Sequence, residues 1–263
     1  MQELFDRLWA DYAAITPQAA RIHALLRGRG ETVRNDHIAL RAFDLPGVDI
    51  DALDRAFVAG GYRAADSYEF PDKHLHAYHY EHAEPGRPKL FISALDVGAL
   101  SEEAAAIVRG LVAQLPPGAS ASPWFAVSGR RWQVDFAAVE RLRAESEYAA
   151  WLAVFGFRAN HFTVDVNALT TFASLEELDR FLQDNGFRMN ESGGLIKGTP
   201  AQLLEQSSTL ADEVEVELAD GPHRLPSCYY EFARRYPGPD GRLFQGFVPT
   251  SATRIFESTD RQS

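Results

Sequence analysis

The chain has 263 residues, 46% of them hydrophobic and 24% charged, with a formal net charge of −11 and one cysteine, Cys228. A lone cysteine excludes a disulfide framework, and no apolar run approaches the ~20 residues that a membrane-spanning helix needs. With no Lys/Arg-rich run, nucleic acid is not an expected partner, and an anionic substrate would need local cations to enter so acidic a protein.

The acidic N-terminus MQELFDRLWADY is amphipathic and lacks the features of a signal peptide, so a soluble, cytoplasmic protein is expected. Residues 3–27 carry Leu4, Leu8, Tyr12, Ile15, Ala19 and Ile22 at near-helical spacing around Pro17, and the GRG at 28–30 ends the segment. HIALRAF at 37–43 alternates and predicts a strand. A short helix over 49–60, stopped by Gly60–Gly61, precedes three strands near 62–70, 74–82 and 88–95. Residues 101–115 and 135–155 read as helical, with a Pro/Ser/Gly stretch between them. NHFTVDV at 160–166 is a strand and 175–187 a helix. Further strands are expected over 187–190, 204–209, 213–218, 227–234 and 243–248.

This order restarts. Leu53-Asp54-Arg55 and Gly61-Tyr62-Arg63 recur as Leu178-Asp179-Arg180 and Gly186-Phe187-Arg188, both displaced by 125 residues. His37 and His161 open the preceding strands at a displacement of 124. Internal duplication is the natural reading: a strand, a helix and three strands, used twice. Paired modules of this kind give an α+β fold whose curled sheets can enclose a cavity.

Two histidines at matching positions converge on the axis between paired modules, a common start of a metal site. Glu231, in SCYYEFARR, interrupts an aromatic strand. A carboxylate there is costly to bury unless it is paired or metal-bound, which makes it the third candidate ligand. The matching strand of the first half, KLFISAL at 89–95, offers no acid, so no fourth ligand is evident. Two histidines and one carboxylate with open positions suit non-haem Fe(II) and O₂. Arg41 shares the face of His37, about 13 Å along the strand, and could clamp a carboxylate. The plainer alternatives are an outward edge-strand glutamate and a partly exposed strand arginine. His74, His76, His79, His82 and His223 read as solvated or loop residues, GLIKG at 194–198 lacks the spacing of a phosphate loop, and Cys228 reads as a buried thiol.

NDHIALRAF (35–43), PKLFISAL (88–95), ANHFTVDV (159–166), EQSSTLAD (205–212), PSCYYEFARR (226–235) and LFQGFVPTSATRIFEST (243–259) together resemble the 2-oxoadipate dioxygenase/decarboxylase (hydroxyglutarate synthase) family, from about residue 30 to 260. The resemblance implies a vicinal-oxygen-chelate-like fold: one catalytic domain with modules at about 35–95 and 159–235, a helical linker over 100–156, and a segment at 243–259 closing the site. It also implies Fe(II) on His37, His161 and Glu231, a position that Zn, Ni or Mn can fill in purified protein. Arg41 would bind a small 2-oxo acid, with O₂ as co-substrate and no membrane partner. FVPTSA would place Thr250 and Ser251 near the substrate's distal carboxylate. Gln206 and Ser207 fall in a segment typical of a shorter branch of the family and are candidate pocket residues. A metal-dependent isomerase or lyase of glyoxalase type, and a non-catalytic small-molecule binding module, are the alternatives.

Overall fold

Pro17 splits the first amphipathic segment into α1 (Gln2–Ile15) and α2 (Pro17–Gly28) in the computed structural model, which describes residues 1–256. The other helices are α3 (Ile50–Ala59), α4 (Glu102–Val112), α5 (Phe136–Arg143), α6 (Glu147–Phe155), α7 (Leu175–Asp184) and α8 (Pro249–Phe256). The strands are β1 (Asn35–Phe43), β2 (Tyr62–Phe70), β3 (Leu75–His82), β4 (Lys89–Leu95), β5 (Ala159–Asp165), β6 (Lys197–Thr199), β7 (Leu204–Ser208), β8 (Glu213–Leu218), β9 (Gly221–Pro226) and β10 (Tyr229–Arg235). Residues 257–259 of the expected closing segment lie outside the described residues.

One mixed sheet runs β2-β3-β4-β1-β5-β10-β7-β6, and β8 and β9 form a separate hairpin. At its centre β1 and β5 pair antiparallel; β4 lies parallel to β1 on one side and β10 parallel to β5 on the other. The strand order is therefore the same on both sides of the β1–β5 pair. Helix α8 packs against both edge strands, β2 and β6, so the sheet curls into a half-barrel with α8 across its opening. At Gly198 of β6, with φ +83°, an added Cβ would lie 3.2 Å from Ser251 Oγ and collide with the Leu204 carbonyl; only glycine permits this close approach. The architecture is the α+β curled sheet expected.

Alternation divides each central strand between two environments. Phe162 of β5 points outward under α1, 5.1 Å from the Trp9 ring and 4.9 Å from that of Tyr12. Each such fully buried side chain contributes roughly 1.5–3 kcal/mol. Leu53 and Phe57 of α3, and Leu178 and Leu182 of α7, bury the outer face likewise. Its neighbour His161 faces the inside of the curl.

Three expectations need correction. Residues 135–155 are two helices, because the Ser146 hydroxyl accepts from Ala149 N and starts α6 afresh. Residues 187–190 are not a strand; Met189 makes a single bridge to Thr209. Residues 243–248 form a strap, with one bridge from Leu243 to Pro237. The strands β6 and β9 and the helix α8 were not expected. β6 has three residues, and prolines flank or punctuate the other two.

Candidate metal centre

Two β-bulges build the site. In the β1–β5 pair, Asn35 and His37 oppose Val164 and Thr163, which leaves Asp36 as an extra residue. Ala39 and Leu40 oppose His161 and Ala159, which leaves Asn160 extra on the other strand. A bulge re-aims the side chain it displaces. Here each bulged Asx turns onto the histidine that follows it: His37 Nδ1 is 2.8 Å from Asp36 Oδ1, and His161 Nδ1 is 3.0 Å from Asn160 Oδ1. Carboxylate and amide oxygens accept, so both Nδ1 atoms donate. Both Nε2 atoms are left with a lone pair, the form that ligates metal.

Glu231 of β10 pairs in register with Thr163, two residues beyond His161, and so enters the same face. Its Oε1 is 3.5 Å from His37 Nε2 and its Oε2 is 3.2 Å from His161 Nε2. Donor atoms of His37, His161 and Glu231 all lie within 4.8 Å of one another. The three side chains are almost wholly buried, at 2%, 3% and 0% exposure. Burial pushes the Glu231 carboxyl up, while His37 and the hydrogen bond from Gln206 act against this. Burial first, then the neighbouring His37 and Arg41, hold His161 well below the ordinary imidazole value, which favours the neutral form that ligates metal.

The donor set fits a divalent cation. Two imidazole lone pairs face a carboxylate across hydrogen-bonding distance, and Glu231 Oε2 has no hydrogen-bond partner among the described residues. Acceptors so opposed in a buried site need a proton or a metal between them. The outer layer is also built. Gln206 Nε2 donates to Glu231 Oε1 at 2.6 Å, and the Thr163 hydroxyl lies 3.1 Å from His37 Nε2. Tyr229 stacks on His161 at 4.7 Å, and Phe247 of the strap sets its ring edge-to-face with His37 at 4.8 Å. Arg235 clamps Asp36 with Nε at 2.7 Å and Nη2 at 2.9 Å, which holds Asp36 far below the ordinary carboxylate value despite burial.

Arg41 is buried on the His37 side of β1. Its guanidinium lies 4.8 Å from the Tyr148 ring centre and 5.1 Å from that of Trp151. A cleft of about 300 Å³ opens beside it, lined also by Lys73, His74, Arg143 and Tyr148; the three ligand residues do not line this cleft. Arg41 thus stands between the cleft and the histidines, close enough for its charge to depress His161.

Gln206 joins the site but its neighbour Ser207 does not. Alternation turns Ser207 to the outer face, away from Gln206 and Glu231, where its hydroxyl donates to Asp179 Oδ1 of α7 at 2.6 Å. Ser251 is buried in the first turn of α8, and Thr250 beside it is exposed. His79 is buried, contrary to expectation, with Nδ1 2.8 Å from the Tyr68 hydroxyl. The Cys228 thiol is buried and pushed up to about 12 by desolvation, the state of a packing residue. Asp36, Asn160, Arg235 and Phe247 were not singled out from sequence. Their one visible signal is an Asx before each histidine, in NDHIAL and ANHFTV.

A family model described as 2-oxoadipate dioxygenase/decarboxylase matches residues 125–244. The chloroplastic 2-oxoadipate dioxygenase/decarboxylase of Arabidopsis thaliana is 33% identical over 250 residues, covering 85% of this chain and 67% of the relative. The crystal structure of the Oryza sativa hydroxyglutarate synthase in complex with 2-oxoadipate superposes with a TM-score of 0.93 at 31% identity, over 98% of this chain and 91% of that one. A Shewanella frigidimarina structure described only as a candidate hydrolase is 48% identical, with a TM-score of 0.90 over 94% of this chain and 97% of that one.

Proposed function

The chain belongs to the 2-oxoadipate dioxygenase/decarboxylase family, and we propose that it uses Fe(II), held by His37, His161 and Glu231, to decarboxylate a 2-oxo dicarboxylic acid with O₂. The observation that carries this reading is the buried convergence of two imidazole lone pairs and one carboxylate, with no fourth protein ligand among the described residues. Bound there, Fe(II) supplies the redox chemistry and Lewis acidity that side chains lack. For 2-oxoadipate the reaction balances as one acid and one O₂ giving 2-hydroxyglutarate and CO₂. The C1–C2 bond breaks, one oxygen atom enters the new carboxylate and the other becomes the hydroxyl.

The chain's own residues bind, orient and exclude water. Gln206 and the Asx–histidine pairs hold the ligands in one orientation, which removes reorganisation at the moment of reaction. Phe91 and Phe247, ring centres 5.0 Å apart, keep one side of the site dry. Arg41 is the cation for a substrate carboxylate, with Tyr148 and Trp151 fixing its plane. In the cluster, the charges of Glu231 and Asp36 are balanced by those of Arg41 and Arg235. The two charges of a divalent metal are then left for a dianion, as a 2-oxo dicarboxylate is. Ser251, buried in the first turn of α8, is better placed than exposed Thr250 to meet its distal carboxylate.

The test is O₂ uptake. Protein reconstituted anaerobically with Fe(II) should consume O₂ on addition of 2-oxoadipate and release CO₂ in equal amount. No uptake across a panel of 2-oxo acids overturns the reading. Turnover without O₂ on Zn²⁺ or Ni²⁺ would instead support an isomerase or lyase.

A further inference from the structure

The two site histidines are tethered differently. His161 donates to the neutral amide of Asn160, whereas His37 donates to the carboxylate of Asp36, and that carboxylate is gripped by Arg235. Arg235 is 4% exposed and has a second set of partners. Its Nη1 donates to the carbonyls of Phe244, at 3.1 Å, and Gly246, at 2.7 Å. Its guanidinium lies 5.2 Å from the ring centre of Phe247, the ring that abuts His37. From the opposite half-sheet the Tyr68 hydroxyl accepts from Phe247 N at 3.2 Å.

One planar cation therefore holds both the tether of a metal ligand and the strap over that ligand. A guanidinium can do this because its donors fork in fixed directions: Nε and Nη2 to one carboxylate, Nη1 to two carbonyls. An ammonium has no such fork. We propose that Arg235 is a positioning residue for the metal centre, which aims His37 through Asp36 and fastens the 244–247 strap over the site. The inference rests on the reading of His37, His161 and Glu231 as a metal site, and it makes a formed centre depend on a seated strap. Without Arg235, Asp36 would be a buried carboxylate facing His37 with no countercharge, and His37 would lose its fixed donor direction.

Two variants separate the two halves of the role, with Co²⁺ as the probe. Its visible absorption reports coordination, and loss of that signal in His161→Ala identifies the site. Asp36→Asn removes the charged tether but leaves Arg235 to hold the strap. Co²⁺ affinity should fall about 10–100-fold, with amide exchange at residues 244–247 unchanged. Arg235→Lys should lose both: the same fall in affinity, an altered Co²⁺ spectrum, and faster exchange at 244–247. Should Arg235→Lys fail to fold, Asp36→Asn still decides the tether. Co²⁺ binding within about twofold of wild type in either folded variant overturns the proposal and leaves the metal site standing. Wild-type protein that binds no Co²⁺ overturns both.

Discussion

Phe91 on β4 and Glu231 on β10 stand at matching positions of the two half-sheets. Phe91 pairs with Ala39, two residues after His37, and Glu231 pairs with Thr163, two residues after His161. A fourth protein ligand would come from position 91, and an aromatic ring stands there. The restriction of the candidate site to three protein ligands follows from that one difference between the halves.

Phe91→Glu should accordingly close the site. The variant is expected to bind Zn²⁺ at least tenfold more tightly than wild type and to lose most 2-oxo-acid-dependent O₂ uptake. Metal titration beside an oxygen electrode checks it; unchanged affinity with unchanged uptake would refute the positional match.

If Arg41 is the cation for a substrate carboxylate, as proposed, Arg41→Ala removes a charge-assisted contact to substrate without touching the three candidate ligands. KM for the 2-oxo acid should rise about 10–100-fold, the loss of about 1.5–3 kcal/mol that a hydrogen bond to a charged group carries, with metal content unchanged. Steady-state kinetics with metal analysis decides it, and wild-type KM would remove Arg41 from the substrate site.

Asp179 offers a test on stability. It is buried beneath β7, accepts from Ser207, and is pushed up to about 7, chiefly by desolvation. Between pH ~4, where it ionises in the unfolded chain, and pH ~7, the native state binds the extra proton. Stability from this group therefore falls as pH rises through that window, and the penalty is complete above pH 7. Asp179→Asn should raise Tm by about 3–6 °C at pH 8 and little at pH 4. A gain at pH 4 as large as that at pH 8 would contradict it.

Gly156 ends α6 at φ +69°, and a Cβ there would drive into the backbone of Gly129 and Arg130, across the bridge that joins Gly129 to Phe157. Gly156→Ala should cost about 2–4 kcal/mol in urea unfolding, with no change in metal affinity for the protein that stays folded. A loss below about 0.5 kcal/mol would show that this junction yields.

The candidate ligands are legible in sequence because each breaks a local rule. His37 and His161 each stand third in their strands, 124 residues apart, and Glu231 sits where the aromatics around it leave a carboxylate no cheap place. The rest needs three dimensions. A bulge is a property of pairing and not of one strand, so the roles of Asp36 and Asn160 emerge only when β1 and β5 are set side by side. Arg235 reads as the polar end of an ordinary strand until its register puts it beneath Asp36, 199 residues away. Ser207 shows what a motif match leaves open: the EQSSTLAD segment offers Gln206 and Ser207 together, and the two-residue period of a strand turns them to opposite faces.

The most direct measurement is metal stoichiometry across wild type, His37→Ala, His161→Ala and Glu231→Ala after anaerobic loading with Fe(II). One ion per wild-type chain and none retained by each folded variant is the expected result. A variant that keeps its full complement of iron would contradict the three-residue centre.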